Sequence, residues 1–380
     1  MGEFIGLSVP NLSGNERKYM DEAIDSEWVS TAGPYIPQFE KGIADYVGAP
    51  DAVACQNGSS GLHLAFLELG VGTGDAVIVP DLTFAATVNP VVYCGANPIF
   101  VDCDDTLCLD PVKLREFITE ECEHIGGRVF EKSTGFRVAA IAPVHVFGNL
   151  CDMDAIMDVA EEFKIPVVED ACESLGSRFT SGRYAGMHSG TVGDIGVFSF
   201  NGNKIITTGG GGMIVARDPQ KLAHMRYKSQ QAKDDAVRFI HNELGYNYRM
   251  TNIQAALGMA QLEQLDGFIE IKKRNYELYN RLGIELLPFS LDRCNPNYWF
   301  YSFMTERREE LMSKLAERNI GTRPIWELMH RLPAFSKYRS YRLEKSIYYH
   351  KYVLNLPCSS NLTEEQVHTV ADAIKEILGK

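Results

Sequence analysis

Apolar positions along the chain change period several times, and those changes mark its elements. Near the start, Tyr19, Met20, Ala23, Ile24 and Trp28 recur at three-to-four spacing. They predict an amphipathic helix with Trp28 at its apolar end, opened by a capping box at Ser13 and Glu16. VSTAGPYIP (29–37) reads as a loop, after which Phe39 to Tyr46 resumes a short helical pattern. From residue 52, short β-rich runs alternate with helical faces: AVACQ, then Leu62, Ala65, Phe66 and Leu69 on one face, then AVIVP. PIFVD, VAAIAPV, PVVED, GVFSF and GMIVA continue the set, and Met153, Ile156, Met157 and Ala160 lie at i, i+3, i+4, i+7 between two of them. Continuous apolar strands with helical crossovers predict an α/β fold whose parallel sheet is covered on both faces.

The polar stretch 119–137, rich in turn signals, predicts an inserted hairpin or excursion. Thr251 and Gln254 cap a predicted long helix that runs to about residue 280, with Ile253, Ala256, Leu257 and Ala260 on its apolar face. Beyond it come an aromatic strand, YWFYSFM (298–304), a helix around Leu311 and Leu315, and a last helix capped by Thr363 and Gln366. This shift divides the chain into a large α/β domain over 1–250 and a small α+β domain over 251–380. Its 380 residues suit two domains at roughly 100–200 residues each.

Composition narrows the function. With 45% apolar residues the chain buries a large core and is not a disordered segment. The net charge is −13, from 37 Lys+Arg against 50 Asp+Glu spread along the chain, which argues against nucleic acid as main partner. An anionic ligand must therefore be met by a local cluster of donors. Leu82 to Val101 carries no charge, but Asn89, Pro90, Gly95, Asn97 and Pro98 break it, so no membrane span is expected. The Met1-Gly2 start has neither a basic-then-apolar leader nor Ser or Thr at position 6 for myristoylation. None of the nine cysteines forms a C-x-x-C pair or zinc-type spacing. They read as reduced small hydrophobes, Cys55 and Cys94 in apolar strands, in a cytoplasmic protein without a metal site.

Three segments concentrate unusual residues: NGSSGLHLA (57–65), VVEDACESLG (167–176) and GDIGVFSFNGNKIITTGGGGM (193–213). Each follows a predicted strand, so all three fall at the carboxyl ends of a parallel sheet, where α/β proteins place ligands. Asn57 to Gly61 before a helix offers free backbone N–H groups to a phosphate; a plain capped helix start explains it equally. The fingerprints of dinucleotide and Walker-type sites are absent from the sequence. Glu169 and Asp170 end an apolar strand, where a carboxylate needs a cation or a donor; an ion pair or a helix cap is the bland alternative, and a metal site with His145 or Glu173 a remote one. Lys204 follows another apolar strand and precedes Gly209 to Gly212, which suits Schiff-base or general-base work as well as a solvated loop. Together a phosphate cup, a carboxylate and a nucleophilic lysine are the parts that pyridoxal phosphate needs.

The ordered motifs NGSSGLHLA, PDLTFAATVNPV, HVFGN, VVEDACESLG, GDIGVFSFNGNK and GYNYRMTNIQAALG resemble the DegT/DnrJ/EryC1/StrS family of nucleotide-sugar aminotransferases, over essentially the whole chain. SFNGNKIITTGGGGM and GTRPIWELMH are similar to the LegC-type enzymes of legionaminic acid and bacillosamine synthesis. The resemblance implies the aspartate aminotransferase-like fold (fold type I), with a mainly parallel seven-stranded sheet, and pyridoxal 5'-phosphate, with pyridoxamine 5'-phosphate as its alternate form. It implies that Lys204 joins the cofactor's aldehyde, that Asp170 pairs with its pyridine nitrogen, and that Glu173, where the family usually has Gln, lies near its phenolic oxygen. Phe84 corresponds to the stacking aromatic, Ser59 and Ser60 to the pair whose amides hold the phosphate, and Ser199 to the phosphate-binding serine. Asn247 corresponds to an asparagine lent by a neighbouring subunit, implying a homodimer with shared active sites. Trp28, Arg249, Arg323 and His330 become candidate substrate neighbours, and Ile325-Trp326 replaces the family's usual His-Tyr.

The implied reaction moves an amino group from L-glutamate to C4 of a 4-keto-6-deoxy nucleotide sugar, with UDP-2-acetamido-2,6-dideoxy-hexos-4-ulose as the implied acceptor. One subgroup carries histidine in place of the lysine and dehydrates its sugar; Lys204 favours amino transfer. A dehydratase of the same fold and a non-catalytic cofactor or sugar binder are the alternatives.

Overall fold

The computed structural model describes residues 4–235 and 237–379. Its central sheet runs in the order Asn97–Val101, Asp75–Pro80, Arg137–Ile141, Val168–Asp170, Ile195–Ser199, Gly212–Ala216, Val53–Cys55. Parallel bridges Ile141 to Val167 and Val144 to Asp170 join its two halves. All seven strands are parallel except Gly212–Ala216, which is antiparallel to both neighbours. This is the mainly parallel seven-stranded sheet that the sequence motifs imply.

Successive strand residues point to opposite faces, and here both faces are buried. Ile78, Val101 and Ile141 pack into one core with Ile36, Phe39 and Ile43, while Val77, Phe100 and Ala140 pack into a second with Leu62 and Phe66. That double burial explains why the strands read as continuous apolar runs without alternation.

The C-terminal third attaches to one edge. Arg339–Tyr341 pairs in parallel with Asn97–Val101, and Val353–Leu356 lies between Tyr301–Met304 and Arg323–Pro324, antiparallel to both. The excursion within 119–137 is a hairpin, Cys122–Ile125 against Arg128–Glu131. Among the described residues no helix is long and apolar enough to cross a membrane. The uncharged stretch 82–101 instead holds the helix Ala85–Tyr93, with Pro90 inside it, and the strand Asn97–Val101.

Several local expectations change. Ser13 makes no capping box: the first helix, Glu16–Asp25, starts after Asn15, and the Ser13 hydroxyl donates to Gln264 instead. The Glu16 carboxylate does reach back, accepting from the Gly14 amide at 2.8 Å, and it also ties down Gln261 and Gln264 from a distant helix. Trp28 lies beyond that helix, 54% exposed. The loop after it is shorter than predicted, because Tyr35, Ile36 and Pro37 already belong to the helix Tyr35–Val47. The long helix after Thr251 is two helices, Asn252–Leu262 and Leu265–Arg281, broken at Glu263 and Gln264; apolar periodicity continues across such a break and hides it. The capping boxes at Thr251 and Thr363 are both formed. The aromatic run 298–304 is extended strand only over Tyr301–Met304. All nine cysteines are free thiols, but Cys94 caps the end of a helix and is not in a strand.

Candidate active site

The strands ending at Cys55, Asp170 and Ser199 point the same way, so the loops that follow them meet at one sheet edge. Gly212 opens the antiparallel strand at that same edge, beside Cys55 and Ser199. Close packing there depends on glycine. A Cβ on Gly58 would meet Cys172 Sγ at 2.7 Å and Ser199 Cβ at 3.0 Å, and one on Gly212 would meet the Asn57 carbonyl carbon at 2.8 Å. Above this edge opens a cavity of about 630 Å³, roofed by the C-terminal segments that carry Trp299, Arg323 and Trp326.

Of the residues singled out in the sequence, Ser59, Phe84, Asp170, Glu173, Ser199, Lys204 and Arg323 line this cavity. Asn57 caps the helix Gly58–Glu68 by accepting from the Ser60 amide at 2.8 Å, so that amide is engaged and Ser60 stays out of the cavity wall. The first bond along the helix runs from the Gly61 amide to the Asn57 carbonyl, which leaves the Gly58 and Ser59 N–H groups facing the site as anion donors.

Asp170 is buried with both oxygens engaged. Thr87 Oγ1 donates to Oδ2 at 2.7 Å, and the Cys172 amide donates to Oδ1 at 3.1 Å. Because Thr87 spends its proton on Asp170, Thr83 is the donor in the 2.9 Å contact between the two hydroxyls. Sequence reasoning missed Thr83 and Thr87; Thr87 lies in the helix Ala85–Tyr93 and Thr83 just before it, on either side of Phe84 in PDLTFAATVNPV. Phe84 itself is 55% exposed at the start of the helix Ala85–Tyr93, an apolar ring held out over the cavity.

Lys204 Nζ lies 4.0 Å from the centre of the Trp299 ring and 3.4 Å from Glu173 Oε1. Trp299 is fixed in turn, its indole N–H donating to the Asn203 carbonyl at 2.7 Å. Trp326 sits 4.7 Å from Phe147 and 6.3 Å from Phe84, ring centre to ring centre, so the three rings form an aromatic cluster beside the cavity. The sequence showed no periodic signal for Trp299 as a wall residue, since it comes from the irregular segment before the strand Tyr301–Met304, far along the chain.

Glu169 takes no direct part. Its carboxylate is fully buried, accepting from the Gly190, Val192 and Gly193 amides and bonding His145 Nε2 at 2.8 Å. His145 Nδ1 accepts from the Cys151 amide, so the proton is on Nε2 and the pair is a neutral imidazole donating to a carboxylate. Burial by itself raises the Glu169 pKa, but His145 and the two glycine amides outweigh it and the net shift is downward. Its stabilising contribution is therefore present above the unfolded-state pKa and lost as pH falls through the lower folded value. Glu169→Ala leaves these donors unsatisfied and is expected to cost roughly 3–5 kcal/mol, read as a lowered midpoint in urea unfolding. An unchanged midpoint would mean that this network adds no stability.

The remaining candidates lie elsewhere. His330 donates from its backbone, and pairs through Nδ1 at 2.8 Å, to the buried Asp81 carboxylate outside the cavity lining. The Arg249 side chain donates to the Thr31 carbonyl and approaches Glu40 at 3.6 Å. Asn247 and Trp28 are exposed and outside the cavity of this single chain. Among the described residues, no cluster of His, Cys, Asp and Glu has the geometry of a metal site.

The family model for the DegT/DnrJ/EryC1/StrS aminotransferases matches residues 10–375. The chain belongs to that family. It is similar to the GDP-perosamine synthase of Caulobacter vibrioides, at 39% identity covering 98% of both chains. It is also similar, at 35% identity over 98% of this chain and 96% of the other, to EpsN of Bacillus subtilis, which its name describes as a pyridoxal phosphate-dependent aminotransferase. Among solved structures, the aminotransferase TlmJ of Streptoalloteichus hindustanus superposes with a TM-score of 0.89 at 26% identity, covering 99% of each chain.

Pyridoxal phosphate is the cofactor of this family, and the residues present fit it. When bound, it supplies an aldehyde carbon and an electron sink. Lys204 would hold the aldehyde end, Asp170 the ring nitrogen, and the Gly58 and Ser59 amides with Ser199 the phosphate. The fit rests on the cavity itself: a small-residue cradle that a Cβ at Gly58 would fill, an amine, and a buried carboxylate already held as an anion acceptor by Thr87 and Cys172.

Proposed function

We propose that this protein transfers an amino group from L-glutamate to C4 of a 4-keto-6-deoxy nucleotide sugar. The observation that carries the reading is the convergence of Lys204, Asp170 and an amide-lined helix start on one cavity of about 630 Å³. Lys204, whose amine lines the cavity, is the group that moves protons between cofactor and substrate carbons. Arg323, which lines the same cavity on the strand Arg323–Pro324, is a cation for an anionic part of a substrate. Trp326 and Phe84, with rings tilted 45° to one another, give an apolar wall for the sugar's deoxy face.

The nucleotide is GDP in the reading we favour, because the 39% identical relative is by name a GDP-perosamine synthase. UDP-2-acetamido-2,6-dideoxy-hexos-4-ulose, the acceptor implied by the LegC-like motifs, is the second reading. Turnover of a panel of GDP-, UDP- and dTDP-linked 4-keto sugars with glutamate, read by product mass, separates them. A product one amino group richer is expected from the GDP substrate; no amino product from any member of the panel would sink the proposal.

We also infer a homodimer with shared sites. Asn247 is exposed, and in the same segment the apolar Val237 and Leu244 are 86% and 87% exposed, surface that a second copy would cover. Mixing Lys204→Ala with Asn247→Ala protomers should restore activity through hybrids in which one of the two sites keeps both native residues. This expectation applies once Asn247→Ala alone has been measured to be impaired. Subunit exchange without activity beyond the parents' sum would refute the shared site.

A further inference from the structure

The two carboxylates of the cavity differ in how they are bonded. Asp170 has a donor on each oxygen, Thr87 on one and the Cys172 amide on the other. Glu173 has one oxygen fixed, Oε2 accepting from the Phe147 amide at 2.9 Å, while Oε1 has only the Lys204 amine, at 3.4 Å. The Glu173 side chain is buried but for the part that lines the cavity.

The groups around Glu173 come from four parts of the chain. The loop after Ile195–Ser199 contributes Lys204, the end of Val168–Asp170 contributes Asp170 and the Cys172 thiol, and the turn Val146–Gly148 contributes only an amide. The segment before Tyr301–Met304 contributes the Trp299 and Phe300 rings, and Arg323 is the further cation of the cavity. Burial pushes the Glu173 carboxyl up, the Lys204 charge and the Phe147 amide pull it down, and Asp170 adds a further rise, to about 7. A carboxyl of this kind beside an amine can exchange a proton with it. The proton leaves Nζ for Oε1, turning ammonium and carboxylate into amine and carboxylic acid, and nothing else moves. Lysine attacks an aldehyde only as the neutral amine, so the location of that proton matters.

We propose that Glu173 is the proton partner of Lys204, taking the proton from Nζ when the amine must be neutral and returning it when a cation is required. The proposal rests on the reading of Lys204 as the cofactor-bearing residue. Glutamine has nearly the same shape and can still accept from the Phe147 amide, but it has no carboxyl to protonate.

The test is a pH titration of the absorbance of the lysine-linked cofactor in the holoenzyme, for wild type, Glu173→Gln and Lys204→Ala. Wild type is expected to show a spectral step near neutrality that Glu173→Gln lacks while keeping the band. A Glu173→Gln curve that coincides with wild type overturns the proposal. A wild-type enzyme with no band that Lys204→Ala removes overturns the Lys204 reading, and the proposal with it, which is a distinguishable outcome. If Glu173→Gln fails to fold or to hold cofactor, wild-type holoenzyme carrying carbon-13 at its glutamate carboxyls decides by nuclear magnetic resonance. One carboxyl titrating near neutrality is expected there, and none overturns the proposal.

Discussion

Lys204→Ala is expected to lose steady-state turnover by at least roughly 10²–10⁴-fold, the usual contribution of one positioned acid–base group. The variant should also lose the absorbance of protein-linked cofactor, because among the described residues no other lysine lines the cavity. Its fold should survive. The Lys204 side chain makes one long contact with Glu173 and rests on the Trp299 ring, so removing it leaves one acceptor, that carboxyl oxygen, without its donor. Circular dichroism and elution volume should therefore match wild type while product formation falls below detection. Full turnover by a folded Lys204→Ala protein would remove the lysine from the reaction.

The second large effect is at Asp170. Asp170→Asn keeps the shape of the side chain but removes the negative charge that faces the cavity, and since its amide nitrogen cannot accept, only one of the two bonds now donated by Thr87 and Cys172 can persist. Loss of one preorganised electrostatic partner costs roughly 10²–10³-fold in rate. The half-reaction with glutamate, followed in a stopped-flow spectrometer, should slow by that factor, with substrate affinity changed far less. Unchanged half-reaction kinetics would assign the charge-balancing role to a different group.

How much of this site is legible in the sequence follows from where its parts come from. Asp170 and Ser199 end apolar strands, Asn57 and Lys204 follow shortly after them, and a parallel sheet delivers such positions to one edge, so pattern alone assembles them. The helix start at Asn57 is equally readable, because a capping side chain three residues before a bonded amide is a local signal. Trp299 and Trp326 are different: they reach the cavity from the C-terminal third through pairings such as Arg339 with Ile99, which no local pattern announces. Local rules also misplace a capping box at Ser13, because the Glu16 carboxylate is drawn to Gln261, in a helix some 250 residues further on, and to Gln264, in the break that follows it. The break at Glu263 and Gln264 is invisible for the opposite reason, since both halves keep an apolar face on the same core.

The lysine-centred site is tested most directly by reducing the holoenzyme with borohydride, digesting it and mapping the added pyridoxyl mass. The label is predicted on Lys204, in the segment after Ile195–Ser199, at one per chain. A label on another lysine, or reduction that leaves every lysine unmodified although cofactor is bound, would contradict the account.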